Sequence, residues 1–250
     1  MKPNQPQVKI FSDLESLSRA VAQNIVERIG TRVAAGENFS LVLSGGNTPR
    51  ALYEILGTQF NSLVPWGKVL LFWGDERYVP HNDPQSNYRM AEETLLGKIP
   101  IPPENLYPMP TNFAEPQEAA QEYERVLRAA FPSPWPRFDL VLLGLGDNGH
   151  TASLFPHSPE LGETQRWVVA TETGGKPAAR LTLTLPALNH ASEINFLVSG
   201  AGKARVIREA IAGNPPAGSC PAAMVRPEQG KIFWWLDESA AALLPAEFRG

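Results

Sequence analysis

Hydrophobic residues along this chain of 250 residues follow two different periods. A long amphipathic helix is predicted after Ser12 and Asp13, which can cap its N-terminus, and Gly36 is a suitable stop. Its apolar face consists of residues at helical spacing: Leu14, Leu17, Val21, Ile25, Ile29 and Val33. Further helices are predicted at 88–96, 116–130 and 203–212, and one that starts near Pro49.

Short apolar runs between these helices predict strands. The runs lie at 39–43, 68–73, 138–143, 194–198 and 231–236, and two further strands are predicted at 167–171 and 180–185. The run at 138–143 is continuous rather than alternating, which is typical of a parallel strand covered on both faces, whereas 180–185 alternates. The sequence therefore predicts an α/β fold with a mostly parallel open sheet, Rossmann-like, and helices on both faces. No repeat or linker divides it, so residues 1–250 are predicted to form a single domain.

Composition narrows the class of protein. Hydrophobic residues make up 43% of the chain and charged residues 19%, which is typical of a folded globular protein. The net charge is −4 without a basic cluster, which argues against a nucleic-acid partner or a polybasic membrane surface. Cys220 is the only cysteine, so no intrachain disulfide is possible, and no metal-ligand motif is present. No apolar run reaches about 18 residues, and we expect a cytoplasmic protein without a membrane segment.

Polar, glycine-containing loops follow four of the predicted strands, at 44–49, 74–77, 144–150 and 199–203. In open α/β sheets, ligands bind outside the carboxyl ends of the strands. A shared site is therefore predicted where these four loops converge.

Three of the loops carry candidate groups for binding a phosphate. The turn formed by Ser44, Gly45, Gly46, Asn47 and Thr48 precedes a helix, where backbone N–H groups and the helix dipole favour an anion. An ordinary strand-to-helix turn remains the alternative. Arg77 can donate two parallel hydrogen bonds to an anion, although a charged triplet is also common in solvated turns. Lys203 at a positive helix end is unfavourable unless an anion is bound there.

His150 is the best candidate for a general base, because it closes a glycine-rich loop at the end of a central strand. Residues 144–149 also match the pattern G-x-G-x-x-G of dinucleotide-binding proteins. That interpretation is disfavoured because the match lies in the middle of the chain and Pro156 limits any following helix. The sequence has neither a G-x-S-x-G nor an H-E-x-x-H motif, so we expect no serine triad, no metal and no cofactor.

Five segments taken together resemble the 6-phosphogluconolactonase family in order and spacing: 44–49, 73–79, 86–88, 144–156 and 200–203. The most specific is Gly-His-Thr-Ala-Ser-Leu-Phe-Pro at 149–156, and the resemblance covers nearly the whole chain. It implies the fold of glucosamine-6-phosphate deaminase and ribose-5-phosphate isomerase. It also implies hydrolysis of 6-phospho-D-glucono-1,5-lactone in the oxidative pentose phosphate pathway, that is, a carboxylic ester hydrolase without a cofactor.

The resemblance extends the set of candidate residues. We expect His150 and Asp75 to be the catalytic groups and Asn148 to be among the substrate contacts, and the resemblance implies Arg180 as a further contact to the phosphate or sugar. Asp75 can orient Arg77 or a sugar hydroxyl, or it is only a structural partner of Arg77. The family usually has an aspartate at the position of Asn148, and related deaminases use that acid for proton transfer.

Two other functions stay open from the sequence. One is a sugar-phosphate isomerase or deaminase on the same fold, which needs a carboxylate where Asn148 lies. The other is a non-catalytic regulatory protein that binds a sugar phosphate. In each case the expected partner is a small molecule, and the protein is expected to be a monomer or a small homo-oligomer.

Overall fold

The computed structural model describes residues 6–175 and 177–249 of the chain. Within these ranges the strands are β1 (Gln7–Phe11), β2 (Phe39–Leu43), β3 (Val69–Trp73), β4 (Asp75–Arg77), β5 (Leu106–Tyr107), β6 (Leu140–Leu143), β7 (Val168–Glu172), β8 (Ala179–Leu183), β9 (Glu193–Val198) and β10 (Lys231–Asp237). The α-helices are α1 (Leu14–Ala34), α2 (Asn47–Gln59), α3 (Asn87–Thr94), α4 (Pro116–Ala130), α5 (Leu185–Asn189), α6 (Ala204–Ala212) and α7 (Pro221–Met224). A short 3₁₀ turn, Ala201–Lys203, leads into α6.

A parallel sheet of seven strands organises the described residues, in the order β1-β10-β9-β6-β2-β3-β5. Every residue of β2, β6 and β9 is buried. Since successive side chains of a strand point to opposite faces, the centre of the sheet is covered on both sides. The predicted mostly parallel α/β fold is confirmed.

Most of the predicted helices and strands are present with bounds shifted by one or two residues. Asp13 caps α1: its carboxylate accepts the N–H of Ser16 at 2.7 Å, and the Ser16 hydroxyl accepts the backbone N–H of Asp13 at 3.2 Å. Gly36 follows the helix with φ +82°, the left-handed conformation that glycine adopts without strain. Lys203 precedes α6 rather than lying in its first turn.

A second, antiparallel sheet of three strands, β4-β8-β7, differs from the sequence prediction. Residues 75–77 were predicted to lie in a loop, and this was wrong, because they form β4. Charged triplets are typical of solvated turns, but here Asp75 and Glu76 are buried and the Glu76 carboxylate accepts the N–H groups of Asn87 and Tyr88 at 2.7 and 2.8 Å. Strands β1 and β5 and helices α5 and α7 were also missed.

Glu124 of α4 connects that helix to the residues at the start of strand β7 in the small sheet. The Glu124 carboxylate is buried and accepts hydrogen bonds from Arg128 and Arg166, at 2.8 and 2.9 Å, and from the backbone N–H of Trp167 at 3.0 Å. The Arg128 guanidinium also lies over the Trp167 ring, 4.4 Å from its centroid. A single side chain therefore satisfies two cations and a buried backbone group.

We expect Glu124→Ala to lower the free energy of unfolding by about 1–3 kcal/mol, because it leaves the Trp167 N–H and two guanidinium groups unpaired. Glu122→Ala is the matched control on the same helix, since its exposed ion pair with Arg125 contributes little. Urea denaturation followed by tryptophan fluorescence measures both variants. Equal stability of the two variants would contradict the role assigned to Glu124.

Candidate functional site

One cavity of about 400 Å³ lies where the predicted loops converge. All four loops contribute to its wall, as the position of strand ends at one edge of a parallel sheet requires. Of the residues expected in the site, ten line this cavity: Ser44, Gly45, Gly46, Asn47, Thr48, Asp75, Arg77, His150, Arg180 and Lys203. Asn148 is not among the lining residues; it lies beside His150 instead.

The N-terminus of α2 forms one part of the wall. Its cap residue is Gly46, with φ +109°, and no described side chain caps the helix. The backbone N–H groups of Asn47 and Thr48 belong to the first turn, which has no intrahelical acceptors for them. The positive end of the helix dipole therefore faces the cavity with free donors, which favours an anion.

Arg77 and Arg180 lie directly opposite each other on β4 and β8. Like charges at opposed positions of an antiparallel pair repel each other. Neither guanidinium has a carboxylate within ion-pair distance among the described residues, and the Nε atom of each is buried without a hydrogen-bond partner there. Burial lowers the pKa of Arg180, and the adjacent Arg77 lowers it further. An anion bound between the two side chains would relieve both the repulsion and the unpaired donors.

Lys203 lines the same cavity but has a partner. Its ammonium group forms an ion pair with the exposed carboxylate of Asp147, and this hydrogen bond holds the pKa of Asp147 below its ordinary value. An incoming anion would compete with Asp147 for Lys203. Such an exposed pair contributes little stability, so the exchange costs little.

His150 is held on several sides. Its Nδ1 atom lies 2.6 Å from Oδ1 of Asn148, and its ring packs on Phe155 with the centroids 4.7 Å apart. Gly146 lies so close that a Cβ there would overlap the imidazole. Burial is the largest influence on the pKa of His150 and lowers it. Among the charges, Asp75 and Asp147 raise that pKa, whereas Arg180 and Lys203 lower it.

Asp75 is a buried carboxylate with defined partners. Its Oδ2 atom accepts the hydroxyl of Ser153 at 2.7 Å, and the amide of Asn87 donates to its backbone carbonyl at 2.9 Å. Asp75 lines the cavity, and no ion pair joins it to Arg77 among the described residues. The geometry therefore does not support the interpretation of Asp75 as only a structural partner of Arg77.

Asn87 is a lining residue that the site prediction missed. It begins α3, and the absence of a side chain at Gly45 leaves room for its amide. The segment Ser86-Asn87-Tyr88 was noticed only as part of the family resemblance. The nearest signal in the sequence was Ser86, which accepts the Arg89 N–H as the N-cap of α3 and so places Asn87 at the start of that helix.

The rest of the described chain adds two negative findings. In residues 6–175 and 177–249, no group of three or more His, Cys, Asp or Glu side chains could hold a metal ion. Over the same ranges, no helix has the length and apolar character needed to cross a membrane. Independence from metals stays a prediction.

Fold and site together define a class, the α/β proteins whose parallel sheet presents a glycine-rich, cationic pocket at its carboxyl edge. The sequence profile of the family described as glucosamine-6-phosphate isomerases/6-phosphogluconolactonase matches residues 12–234. The chain belongs to this family.

Individual relatives agree with that assignment. A 6-phosphogluconolactonase of Synechocystis sp. is 42% identical over 238 residues, which are 94% of this chain and 97% of the relative. One from Mycobacterium tuberculosis is 43% identical over 246 residues, which are 96% and 98% of the two chains. The structure of 6-phosphogluconolactonase from Trypanosoma brucei superposes with a TM-score of 0.87 at 31% identity and covers 97% of this chain and all of that one. A monomeric glucosamine-6-phosphate deaminase shares the fold, with a TM-score of 0.77 at 20% identity.

We expect the pKa of His150 in the free protein to lie below the ordinary value of about 6.5, because burial disfavours the imidazolium. The side chain then stays neutral, and able to accept a proton, at neutral pH. Titration of the four histidines by NMR, with His150→Gln to assign the signal, measures this directly. A His150 signal that titrates above 6.5 would contradict the expectation.

Proposed function

We propose that this protein is a hydrolase that converts 6-phospho-D-glucono-1,5-lactone into 6-phospho-D-gluconate in the oxidative pentose phosphate pathway. The observation that carries the proposal is the shared cavity, in which the His150 imidazole lies with an anion-binding end built by α2, Arg77, Arg180 and Lys203. The names of the relatives at 42–43% identity over nearly the full chain support the same reaction.

The chemistry of a lactone matches what the site contains. Its carbonyl carbon is already electrophilic, so hydrolysis needs one activated water and stabilisation of the developing oxyanion. His150 takes a proton from the attacking water as the C–O bond forms. It then returns that proton to the ring oxygen when the ester bond breaks, so the imidazole ends neutral, as it began.

The phosphate group, remote from the reacting carbonyl, positions the substrate. Arg77, Lys203 and the backbone at 45–48 bind it, and Arg180 contacts the phosphate or the adjacent sugar. Binding energy at this end is used to orient the lactone against His150. Asp75, which Ser153 holds in place, accepts a hydrogen bond from a sugar hydroxyl; the alternative, that it orients Arg77, lacks a direct contact between the two among the described residues.

Asn148 weighs against the isomerase or deaminase alternative, although one deaminase shares the fold. That chemistry needs a carboxylate that passes protons at this position, and an amide side chain cannot do so. A non-catalytic regulator would need the anion-binding groups but no base, and His150 is the feature that disfavours it.

The remaining expectations stay predictions. They are a single domain over residues 1–250, a cytoplasmic location, independence from metals and cofactors, no nucleic-acid or membrane partner, and a monomer or small homo-oligomer. The first experiment is a coupled assay with freshly generated lactone, in which turnover must exceed spontaneous hydrolysis. Turnover of glucosamine 6-phosphate instead of the lactone would favour the deaminase.

We expect His150→Ala to lower kcat by about 10²–10⁴-fold, the usual effect of removing a positioned base. KM should change little, because the groups that bind phosphate remain. His157→Ala is the matched control, since His157 lies outside the cavity lining. A stable His150→Ala protein with nearly normal kcat would end the assignment, and Asp75, Glu76 or Asp147 would then be tested as the base.

We expect Arg77→Ala and Lys203→Ala each to weaken the binding of 6-phosphogluconate about ten- to a hundred-fold. This follows from a charge-assisted hydrogen bond of about 1.5–3 kcal/mol. Binding of gluconate, which lacks the phosphate, should barely change. Calorimetric titration measures both ligands, with Arg205→Ala, an exposed arginine of α6, as the control for lost charge. Equal losses for the two ligands would refute the phosphate role.

A further inference from the structure

Asn148 and His150 share a contact that no part of the proposed reaction yet uses. We propose that Asn148 is a positioning residue that holds the proton of the His150 imidazole on Nδ1. It thereby leaves Nε2 as the atom that accepts the proton of the attacking water. The catalytic consequence rests on the proposed function, but the tautomer itself does not.

The hydrogen bonds identify which atom of the Asn148 amide meets the ring. The same Oδ1 position lies 3.2 Å from the backbone nitrogen of His150 and 2.6 Å from its Nδ1. A backbone N–H group only donates, so the atom that it meets must be an acceptor. That requirement places the amide oxygen there and excludes the NH₂ group.

The tautomer follows from this assignment. An amide oxygen carries no proton, so a hydrogen bond of 2.6 Å between it and Nδ1 requires the proton on the ring nitrogen. A neutral imidazole holds one proton on its two nitrogens. Nε2 then carries a free lone pair.

The loop restrains this arrangement. Its ends are joined by the Gly146 N–H, which donates to the His150 carbonyl at 2.8 Å, and the Gly149 N–H donates to Gly146 at 3.0 Å. Gly149 has φ +85°, which reverses the chain between Asn148 and His150. Phe155 packs on the ring, and the bare Cα of Gly146 leaves space for it. The amide therefore meets a ring that has little freedom to turn away.

The choice of an amide also sets the charge around the base. Two carboxylates, Asp75 and Asp147, and two cations, Arg180 and Lys203, already act on His150 from separate elements. Asn148 orients the ring without adding a charge. A carboxylate at the same distance would orient it equally well but would stabilise the imidazolium, which cannot accept a proton.

Three variants separate orientation from charge. Asn148→Asp keeps the acceptor and adds a negative charge, Asn148→Ala removes the acceptor, and Asn112→Asp makes the same charge change at an exposed position outside the cavity lining. Long-range ¹H–¹⁵N NMR spectra of the complete protein report the tautomer and the pKa of His150. Profiles of kcat/KM against pH report the base in the reaction.

We expect the Nδ1–H tautomer in the wild type. In Asn148→Asp the His150 pKa and the acid limb of kcat/KM should both move up by about one to two pH units, and Asn112→Asp should move neither. In Asn148→Ala both tautomers should appear, and kcat should fall about tenfold with little change in KM.

An Nε2–H tautomer in the wild type would overturn the inference, and this measurement needs no variant to fold. An Asn148→Ala protein that keeps the Nδ1–H tautomer and a normal kcat would overturn it as well. If the wild type fails to hydrolyse the lactone but shows the Nδ1–H tautomer and the Asn148→Asp shift, the proposed reaction fails and the role of Asn148 stands.

Discussion

Burial of the main sheet on both faces is the constraint from which the site follows. Strands β2, β6 and β9 have no exposed residue, so a ligand can contact this part of the sheet only where these strands end. Because these strands are parallel, their carboxyl ends meet at one edge, together with the end of β3. The short loops after them carry the cap of α2, His150 and Lys203. A mildly acidic chain thus brings three of its cations, Arg77, Arg180 and Lys203, into one cavity.

The small antiparallel sheet adds what the main sheet cannot supply. Only Gly74 separates the end of β3 from the start of β4, so the chain passes from the main sheet directly into the wall of the cavity. Pairing with β8 then places Arg180 opposite Arg77. Burial and the charge of Arg77 lower the pKa of Arg180. The buried carboxylates Asp75 and Glu76, on the same strand as Arg77, raise it and so offset part of the repulsion between the two arginines. The same pairing leaves the Nε atoms of Arg77 and Arg180 buried without a hydrogen-bond partner among the described residues, which is the basis for proposing an anion between them.

Much of this arrangement could be predicted from the sequence. Continuous apolar runs indicate buried strands, and the glycine-containing loops after them indicate where those strands end. The small sheet could not be predicted as a separate unit. Its pairing of β4 with β8 joins residues about a hundred positions apart, and a charged triplet gives no sign of such a partner. Asn87 was missed for a similar reason, since it enters the cavity only because Gly45, far away in sequence, has no side chain. The contact between Asn148 and His150 could not be predicted either, because it depends on the turn at Gly149; a substrate contact of Asn148 stays a prediction.

The glycines at 144–149 have structural roles here that differ from those in the dinucleotide-binding pattern. In that pattern the glycines let a backbone approach a pyrophosphate and a helix pack on a strand. Here the described residues between this loop and β7 contain no α-helix. The Gly144 carbonyl accepts the Thr151 hydroxyl at 2.9 Å, and Gly146 leaves room for the His150 ring. Gly149 adopts a left-handed turn against the buried Cys220, whose sulfur a Cβ would crowd. Gly146, beside the His150 ring, and Gly149, in its left-handed turn, therefore have structural reasons to be glycine that do not involve a nucleotide.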